Sequence, residues 1–272
     1  MNRMNFYKIS GSGNDFIVID NMDGSISNDP ADLAAKLCRR KFSIGADGLI
    51  MLEKSDIADF RWRFHNADGS EAEMCGNGGR CAARFAVLRN ITDETLSFET
   101  EAGIINARVT GKRVKIKLTD PVDLKRNIEV PVDERNRVVS FINTGVPHVV
   151  KVVPDIENFD VVGIGRKLRY HNLFQPEGTN ANFIEIKDGN TISLRTYERG
   201  VEDETLACGT GAVASAIIAS LDGSVKSPVT VVTRGGETLI IYFTPEHGEF
   251  RDVYLEGDTA VVCSGEVLEE AY

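Results

Sequence analysis

The sequence predicts an α/β (α+β) fold of two pseudo-symmetric domains of like topology, each a curved, mostly antiparallel or mixed β-sheet around a central helix. The first observation is a recurring Cys-Gly-x-Gly element: Cys75 and Cys208 lie 133 positions apart (208 minus 75), close to half of the 272 residues. The second is a series of short apolar runs separated by turns, which is typical of strands. The third is length, since a typical domain has about 100 to 150 residues.

The duplication extends beyond the cysteines. Chance matching of glycine-rich turns is the alternative, but it does not predict a constant order and spacing. We therefore predict an N-terminal domain of residues 1–119 plus a C-terminal strand at 262–272, and a C-terminal domain of residues 120–261, with residues 119–122 as the hinge. The repeated segments, at spacings of 132 or 133 residues, are 12–16 with 144–148, 45–50 with 178–183, 63–66 with 195–198, and 100–103 with 233–236.

Apolar and alternating runs predict the strands in both halves. In the first half they cover residues 6–10, 16–20, 49–53, 60–65, 96–99, 104–109 and 114–118. In the second half they cover residues 140–142, 149–153, 183–186, 192–197, 229–233, 239–243, 253–255 and 260–263.

Three helices interrupt the strands. Asp29 is a capping residue and Pro30 a first-turn proline, so together they predict a helix over residues 31–41. Two more helices, over residues 80–90 and 212–221, follow the two Cys-Gly elements. They are rich in Ala and apolar nearly all round, which predicts that strands enclose them.

Composition and charge narrow the class of protein. A formal net charge of −10 and a pI near 5.0, without runs of Lys or Arg, argue against a nucleic-acid partner. No stretch resembles a membrane span or a signal peptide, so we expect a cytoplasmic protein with reduced thiols and a small-molecule substrate.

The cysteine pattern fits neither a disulfide framework nor a metal site. The count of five is odd, at Cys38, Cys75, Cys81, Cys208 and Cys263. Cys75 and Cys81 are six residues apart, about 240° around a helix, and no Cys-x-x-Cys or nearby His completes a zinc pattern. We therefore expect no metal.

Cys75 and Cys208 are placed for acid/base chemistry. A helix N-terminus favours a thiolate over a thiol and lowers a cysteine pKa that begins near ~8.5. The glycines that follow leave backbone amides open to a carboxylate. A carboxylate held by two such termini would put its α-carbon between two sulfurs, so that one thiolate removes the α-proton and the opposite thiol returns one. Facing thiols could instead form a redox pair, and two ordinary buried cysteines at tight turns are the structural alternative.

Four motifs resemble those of diaminopimelate epimerase and cover the whole chain in order. The most specific is Asn66–Cys81 (Asn-Ala-Asp-Gly-Ser-Glu-Ala-Glu-Met-Cys-Gly-Asn-Gly-Gly-Arg-Cys); the others lie at residues 11–16, 145–148 and 197–212. The resemblance implies an enzyme without a cofactor that interconverts LL- and meso-2,6-diaminoheptanedioate for lysine and peptidoglycan synthesis. It also implies two pseudo-symmetric domains with the active site in the cleft between them, and a homodimer.

The resemblance assigns roles to matching residues. Cys75 and Cys208 would be the acid/base pair, and His148 and Glu198 would support them. Amides and a guanidinium suit a ligand with two amino-acid heads, and Glu198 carries the charge that complements an ammonium. The positions that match substrate-binding residues are Asn14, Asn66, Gly76, Asn77, Asn180, Glu198, Arg199, Gly209 and Thr210.

The chain departs from the family pattern at several positions. Relatives often have Asn where this chain has Val146, and a substrate-binding Gln where it has Gly48; Cys263 replaces a Tyr that assists dimerisation. Residues 198–208 are one residue longer than in some relatives, and we expect the acidic residues 202–204 there to be exposed. A proline racemase, and a non-catalytic amino-acid-binding or thiol redox protein, remain the alternative functions.

Overall fold

The computed structural model describes residues 4–72, 74–133 and 135–272; residues 1–3, Glu73 of the Asn66–Cys81 motif, and Glu134 lie outside these ranges. The chain divides into two compact units, unit 1 of Met1–Lys117 with Gly257–Tyr272, and unit 2 of Leu118–Glu256. The chain passes into unit 2 beside the predicted hinge. Residues 257–261, which were predicted in the second domain, belong to unit 1; of these, Ala260 and Val261 pair with the first strand of the chain.

The helices and strands follow one another in two similar series. The first comprises β1 (Met4–Gly11), β2 (Asn14–Asp20), α1 (Pro30–Leu37), β3 (Gly48–Glu53), β4 (Phe60–Asn66), α2 (Gly76–Leu88), β5 (Thr95–Thr100), β6 (Gly103–Thr110) and β7 (Arg113–Lys117). The second comprises β8 (Val122–Val132), β9 (Arg135–Asn143), β10 (Pro147–Val152), α3 (Val161–Arg169), β11 (Asn180–Lys187), β12 (Thr191–Glu198), β13 (Asp203–Thr205), α4 (Gly209–Ser220), β14 (Val229–Val232), β15 (Thr238–Glu246), β16 (Glu249–Asp258) and β17 (Ala260–Val267). Short 3₁₀ turns cover Asn172–Phe174 and Glu269–Ala271.

Strand pairing is the same in the two units. In unit 1, the antiparallel pairs are β17–β1, β1–β2, β3–β4, β5–β6 and β6–β7. The parallel pairs are β2–β3 and β4–β5. In unit 2, β8 takes the place of β17 and β9 that of β1, and β10–β11 and β12–β14 are the parallel pairs. The predicted mixed-sheet fold of like halves is confirmed, with β13 as an addition in unit 2.

The ladders refine the spacing of the repeat. Phe16 on β2 is opposite Gly48 on β3, and His148 on β10 is opposite Asn180 on β11. Both residues of the second pair lie 132 positions after those of the first. The sequence comparison placed residues 45–50 at a spacing of 133, which is one residue too far for this strand.

Strands enclose the helix that follows each Cys-Gly element, as predicted. α2 contacts β1, β2, β3, β6 and β7, while α4 contacts β9, β10, β11, β12, β14 and β15. α4 consists of Gly, Ala, Ser, Thr, Val and Ile, and is buried continuously from Gly211 to Ala219. Both helices begin earlier than predicted, at Gly76 and Gly209, because the cysteines themselves are the N-caps. None of the described helices is long and apolar enough to cross a membrane.

Helix α1 begins as predicted but ends early. The Asp29 side chain accepts from the amide of Ala31 at 3.1 Å. The helix ends at Leu37 rather than near Lys41, whose positive φ of 71° is incompatible with a continuing helix. Cys38 and Cys81 are core residues, as expected, and burial raises the pKa of the Cys38 thiol to about 12.

Besides β13, the elements β8 and α3 were not predicted. β8 is mostly exposed, so its sequence carries little apolar alternation, and positive φ angles at Asp123 and Asn127 accompany shifts in its pairing with β9. α3 contains two glycines in nine residues, which lowers its helix propensity. Gly165 is required there because a Cβ would lie 2.4 Å from the Cβ of Tyr197.

The sequence analysis expected the acidic residues 202–204 to be exposed, and this prediction is wrong for two of the three. Glu204 is half-buried against Arg195, with two contacts of 2.6 Å, and Glu202 accepts from Arg169 at 3.0 Å. Asp203 is the exposed member of the three. The extra residue of this segment therefore belongs to a turn that ion pairs hold in place.

Substitution of Gly165 by Ala should destabilise unit 2, although Ala is the better helix former. The added methyl group would overlap the Cβ of Tyr197, which cannot move without its strand. We expect a loss of about 1–3 kcal/mol in the free energy of unfolding, measured by urea denaturation. Gly235→Ala is the control, because its nearest contact would be an ordinary 3.4 Å. Equal stability of the two variants would contradict this account of α3.

Candidate active site

Cys75 lies at the beginning of an enclosed helix in unit 1. It has the extended backbone of an N-cap, and its Sγ accepts from the amide of Gly78 at 3.5 Å. Gly79 allows the helix to approach its neighbours, because a Cβ there would lie 3.1 Å from the Cε of Met74 and 3.3 Å from the Cζ of Phe98. Glycine at position 79 therefore serves the close packing of this helix.

Two predicted binding residues, Asn14 and Asn77, belong to one hydrogen-bonded chain. Arg80 donates to Asn77 Oδ1 at 3.1 Å, Asn77 Nδ2 donates to Asn14 Oδ1 at 2.6 Å, and Asn14 Nδ2 donates to Asp47 at 3.1 Å. A guanidinium can only donate and a carboxylate can only accept. The two ends of the chain therefore fix the orientation of both amides, and each amide keeps a second N–H for another acceptor.

Asp47, the acceptor at the end of this hydrogen-bonded chain, is itself bound by a charged side chain. Arg40 donates to Asp47 Oδ1 at 2.9 Å and to Asp15 Oδ1 at 2.5 Å. The backbone amides of Asp15 and Asp47 each donate to the other residue's carboxylate at 3.2 Å. Burial raises the pKa of Asp15, but hydrogen bonds from Arg40 and Lys8 outweigh it, so the net pKa is lowered.

Asn66 lies at the end of β4, opposite Gly48. Its Nδ2 donates to the Ser70 hydroxyl at 3.0 Å, within the loop that leads to Cys75. A Cβ at Gly48 would lie 2.6 Å from the ring of Phe64 and 2.7 Å from the carbonyl oxygen of His65. A side chain at position 48 therefore cannot be accommodated without a shift of β4.

Cys208 begins the corresponding helix in unit 2 and is 6% exposed. Its Sγ lies 3.6 Å from the hydroxyl of Thr210, and Thr144 donates to the carbonyl oxygen of Thr210 at 3.0 Å. A Cβ at Gly211 would lie 2.4 Å from Asn182 Oδ1 and 3.2 Å from Cys208 Sγ. Glycine is therefore required at the third residue of α4.

His148 is fully buried and is linked to Cys208 through Thr210. Its Nε2 lies 2.9 Å from the Thr210 hydroxyl, and its Nδ1 lies 3.0 Å from Asn182 Nδ2. Burial, with a smaller contribution from the Arg199 guanidinium, lowers the pKa of His148 to about 3. The imidazole is therefore neutral at physiological pH.

The other predicted residues of unit 2 lie at adjacent strand ends. Asn180 donates to the carbonyl oxygen of Pro147 at 3.0 Å and accepts from the backbone amide of Arg199 at 2.8 Å, while the Arg199 guanidinium donates to the carbonyl oxygen of Glu177 at 2.9 Å. Burial raises the pKa of Glu198, and a 2.9 Å hydrogen bond from a threonine hydroxyl opposes the rise.

Comparison with known proteins gives a consistent result. The family model described as diaminopimelate epimerase matches residues 6–124 and 140–260, one segment in each half of the chain. The chain belongs to the diaminopimelate epimerase family. A protein named diaminopimelate epimerase from Aquifex aeolicus is 47% identical, covering 98% of this chain and 99% of that protein. Proteins of the same name from Chlorobaculum tepidum and Archaeoglobus fulgidus are 43% and 45% identical, covering 95% and 86% of this chain and 99% and 88% of theirs.

Solved structures extend the likeness of fold beyond the diaminopimelate epimerase family. A PhzF-family phenazine biosynthesis protein from Bacillus anthracis has a TM-score of 0.73 at 17% identity, covering 98% of this chain and all of that chain. A probable proline racemase from Agrobacterium radiobacter has a TM-score of 0.69 at 14% identity, covering 98% and 93%. At such identities these structures show a shared fold and nothing about the reaction.

The structure thus places the predicted diaminopimelate epimerase residues in two groups. Unit 1 brings Asn14 and Asn77 beside the helix that Cys75 caps, whereas the Asn66 side chain bonds within its own loop. Unit 2 links the predicted residues into two sets, His148 with Thr210 and Cys208, and Asn180 with Arg199.

Several connecting residues were missed. Asp47, Arg80, Thr144 and Asn182 do not match the family positions considered, yet they orient residues that do. A signal for Asn182 existed, because Asn180-Ala-Asn182 has the period of two that places both amides on the same face of β11. Among the described residues no three His, Cys, Asp or Glu side chains are grouped as metal ligands would be.

The lowered pKa of His148 predicts how stability depends on pH. Its folded value is about 3 and its ordinary value 6.5, so the unfolded chain binds more protons between these limits. The contribution of neutral His148 to the free energy of unfolding is fully present above pH 6.5. It is lost as the pH falls towards 3, at up to about 1.4 kcal/mol per pH unit. Urea unfolding between pH 4 and 8 should therefore show a shallower pH dependence for His148→Gln than for the unsubstituted chain. Parallel curves would show that folding does not lower the pKa of His148.

Proposed function

We propose that this chain interconverts LL- and meso-2,6-diaminoheptanedioate without a cofactor, with Cys75 and Cys208 as the acid/base pair. The observation that carries the proposal is that each of two units of like topology, in a chain of this family, has a cysteine as the N-cap of its enclosed helix. Ordinary core cysteines would not need this repeated position. Cys38 and Cys81 are such core cysteines, and neither is the N-cap of a helix.

The proposed reaction transfers one proton out of the substrate and one proton in. The thiolate of one cysteine takes the α-proton and becomes a thiol. The thiol of the other cysteine donates a proton to the opposite face of the α-carbon and becomes a thiolate. The configuration is inverted, no electrons are lost, and the enzyme is left with the two protonation states exchanged. The mechanism requires both sulfurs to reach opposite faces of one α-carbon.

The first turns of α2 and α4 would bind the reacting carboxylate. The amides of Gly76 and Asn77, and those of Gly209 and Thr210, are at helix N-termini, where backbone donors and the helix dipole favour an anion. Charge that moves from the α-carbon into the carboxylate as the proton leaves would be stabilised by the same donors.

The remaining predicted residues would bind the second amino-acid head. Asn14, Asn66 and Asn180 can donate to a carboxylate, Arg199 adds a guanidinium, and Glu198 would accept from an ammonium. The fixed amide of Asn14 supports this role, because preorganised donors do not have to be reoriented when a ligand binds. An ammonium beside Glu198 would favour the ionised carboxylate and so reverse the rise in its pKa.

His148 and Glu198 would support the acid/base pair without exchanging protons with the substrate. The neutral imidazole contacts the Thr210 hydroxyl, which lies near Cys208 Sγ. We also propose that the enzyme acts in the cytoplasm, because a two-thiol mechanism needs cysteines kept reduced.

We further propose a homodimer in which β17 contributes to the interface. Val262 and Val261 are 62% and 40% exposed on the two opposite faces of this strand, so exposed apolar side chains are available to a partner there. Light scattering should give twice the chain mass, and Val262→Asp should shift the protein towards monomer. Val138→Asp, at a valine 49% exposed on β9, is the control. A monomer in the unsubstituted chain would refute the dimer.

The reaction is tested by proton NMR of the reduced protein with LL-diaminopimelate in D₂O, without pyridoxal phosphate or metal, and with L-proline in a parallel tube. Loss of the α-proton signal together with the meso isomer is the expected result. Exchange with proline alone would assign the site to a racemase of cyclic imino acids. No exchange in either tube would favour a binding or redox protein.

Cys75→Ala and Cys208→Ala should each reduce inversion by about 10²- to 10⁴-fold, because each removes the acid or base from one face. Any residual α-proton exchange should be confined to one epimer in Cys75→Ala and to the other in Cys208→Ala. Cys263→Ser, at an exposed cysteine, is the control and should keep full activity. Full activity in either alanine variant would refute the two-thiol mechanism.

A further inference from the structure

A continuous chain of polar side chains in unit 2 ends at Cys208. Thr196 donates to Asn182 Oδ1 at 2.9 Å, Asn182 Nδ2 is 3.0 Å from His148 Nδ1, and His148 Nε2 is 2.9 Å from the Thr210 hydroxyl. That hydroxyl is 3.6 Å from Cys208 Sγ. Asn182, His148 and Thr196 are at most 2% exposed, so water does not compete with these contacts.

The orientation of the Asn182 amide is determined by a backbone group. Its Nδ2 is also 3.0 Å from the carbonyl oxygen of Val149, which can only accept. The amide nitrogen must therefore point towards β10, with one N–H for Val149 and one for His148. Because an amide nitrogen donates, His148 Nδ1 must be the acceptor and carry no proton.

The donor and acceptor roles in the remaining hydrogen bonds, from His148 to Cys208, follow from this. A neutral imidazole has a single N–H, and with Nδ1 as the acceptor the proton is on Nε2. Nε2–H then donates to the Thr210 hydroxyl oxygen, whose own hydrogen is left to point at another acceptor. Cys208 Sγ is that acceptor at 3.6 Å, a distance at which sulfur accepts a hydrogen bond.

The charges around the imidazole agree with this direction. The Arg199 guanidinium, at the end of β12, disfavours a second proton on His148, and α4 has no charged residue along its length. Glu198, the other ionisable group at the end of β12, accepts from Thr205. The groups that contact His148 directly are the neutral side chains of Asn182 and Thr210.

We propose that Asn182 is a positioning residue: it holds His148 as the Nε2–H tautomer, so that the Thr210 hydroxyl donates to Cys208 Sγ and favours its thiolate. The proposal rests on the proposed function for its catalytic consequence, but the tautomer and the ionisation of Cys208 can be measured without turnover. It gives Cys208 a hydroxyl donor where Cys75 has the backbone amide of Gly78.

The tautomer is tested first, by nitrogen NMR of the full chain labelled with ¹⁵N-histidine, with His148→Gln used to assign the signal. In the unsubstituted protein, Nε2 should have the shift of a protonated nitrogen and Nδ1 that of an unprotonated one. Asn182→Asp replaces the donor by an acceptor of the same shape and should move the proton to Nδ1. Thr196→Val, which removes a hydroxyl from the other end of the same amide, should leave the tautomer unchanged.

The effect on Cys208 is tested by thiolate absorbance during a pH titration of Cys75→Ala, with Cys75→Ala/Cys208→Ala subtracted to remove the other cysteines. Adding Asn182→Asp or Thr210→Val should raise the midpoint of Cys208 ionisation by about one pH unit, whereas Thr210→Ser keeps the hydroxyl and should restore it. In the chain with both cysteines, kcat/KM near neutral pH should fall several-fold to about tenfold for Asn182→Asp and Thr210→Val, and recover with Thr210→Ser.

The outcomes separate this proposal from the proposed function. A proton on Nδ1 in the unsubstituted protein, or an Nε2–H tautomer that persists in Asn182→Asp, would overturn the role of Asn182. A Cys208 midpoint that does not move in Thr210→Val would overturn the link to the thiolate, and if Asn182→Asp does not fold, Thr210→Val and the unsubstituted tautomer still decide. A protein with the expected tautomer and titration but no exchange of diaminopimelate would refute the proposed function alone.

Discussion

The enclosure of α2 and α4 by strands is the constraint on which most of the structure depends. A helix contacted on nearly all sides must be built from small and apolar residues, as Gly211–Ala219 is, and its first turn must approach its neighbours closely. Glycine meets that requirement at Gly79 and Gly211, where a Cβ would overlap neighbouring side chains. These glycines lie in the same first turns whose amides we propose as donors to the substrate carboxylate, so one local sequence would serve both packing and binding.

A helix N-terminus in such surroundings brings polar groups into a buried region, where each needs a defined partner. Unit 1 meets this need with a chain that runs from the Arg80 guanidinium through two amides to Asp47. Unit 2 uses the Val149 carbonyl, Asn182 and His148. In both chains a group with a single hydrogen-bonding role sets the direction of groups that could otherwise be turned around, which fixes donors before any ligand is present.

The sequence predicted those features that a local pattern can carry. The two N-cap cysteines, the enclosed helices and most strands have apolar periodicity or a repeated motif. β8 could not be predicted, because its few buried residues lie near one end and positive φ angles interrupt its alternation. α3 was missed because Gly165 is chosen for contact with Tyr197, a tertiary reason that lowers local helix propensity.

Residues of the site that the sequence analysis missed were missed for the same reason, because their roles depend on tertiary contacts. Family positions identified residues that would touch a ligand. Asp47, just before β3, and Asn182, on β11, act on residues of the neighbouring strands β2 and β10, and the pairing of these strands shows which residues they reach. The departure at Gly48 also becomes explicable only in three dimensions. Residues 64 and 65 occupy the space that a longer side chain would need, so position 48 cannot take one without a shift of β4.

Like topology does not make the two thiols equivalent. From the sequence alone, Cys75 and Cys208 have the same predicted chemistry, because each precedes a glycine-rich first turn. The structure assigns them different neighbours, the amide of Gly78 for Cys75 and the hydroxyl of Thr210 for Cys208. An amide is a fixed donor, whereas a hydroxyl can rotate and depends on the group behind it. The protonation of Cys208 is therefore open to control by buried residues of its own unit, and an inverting enzyme that uses each thiol in one direction can set the two separately.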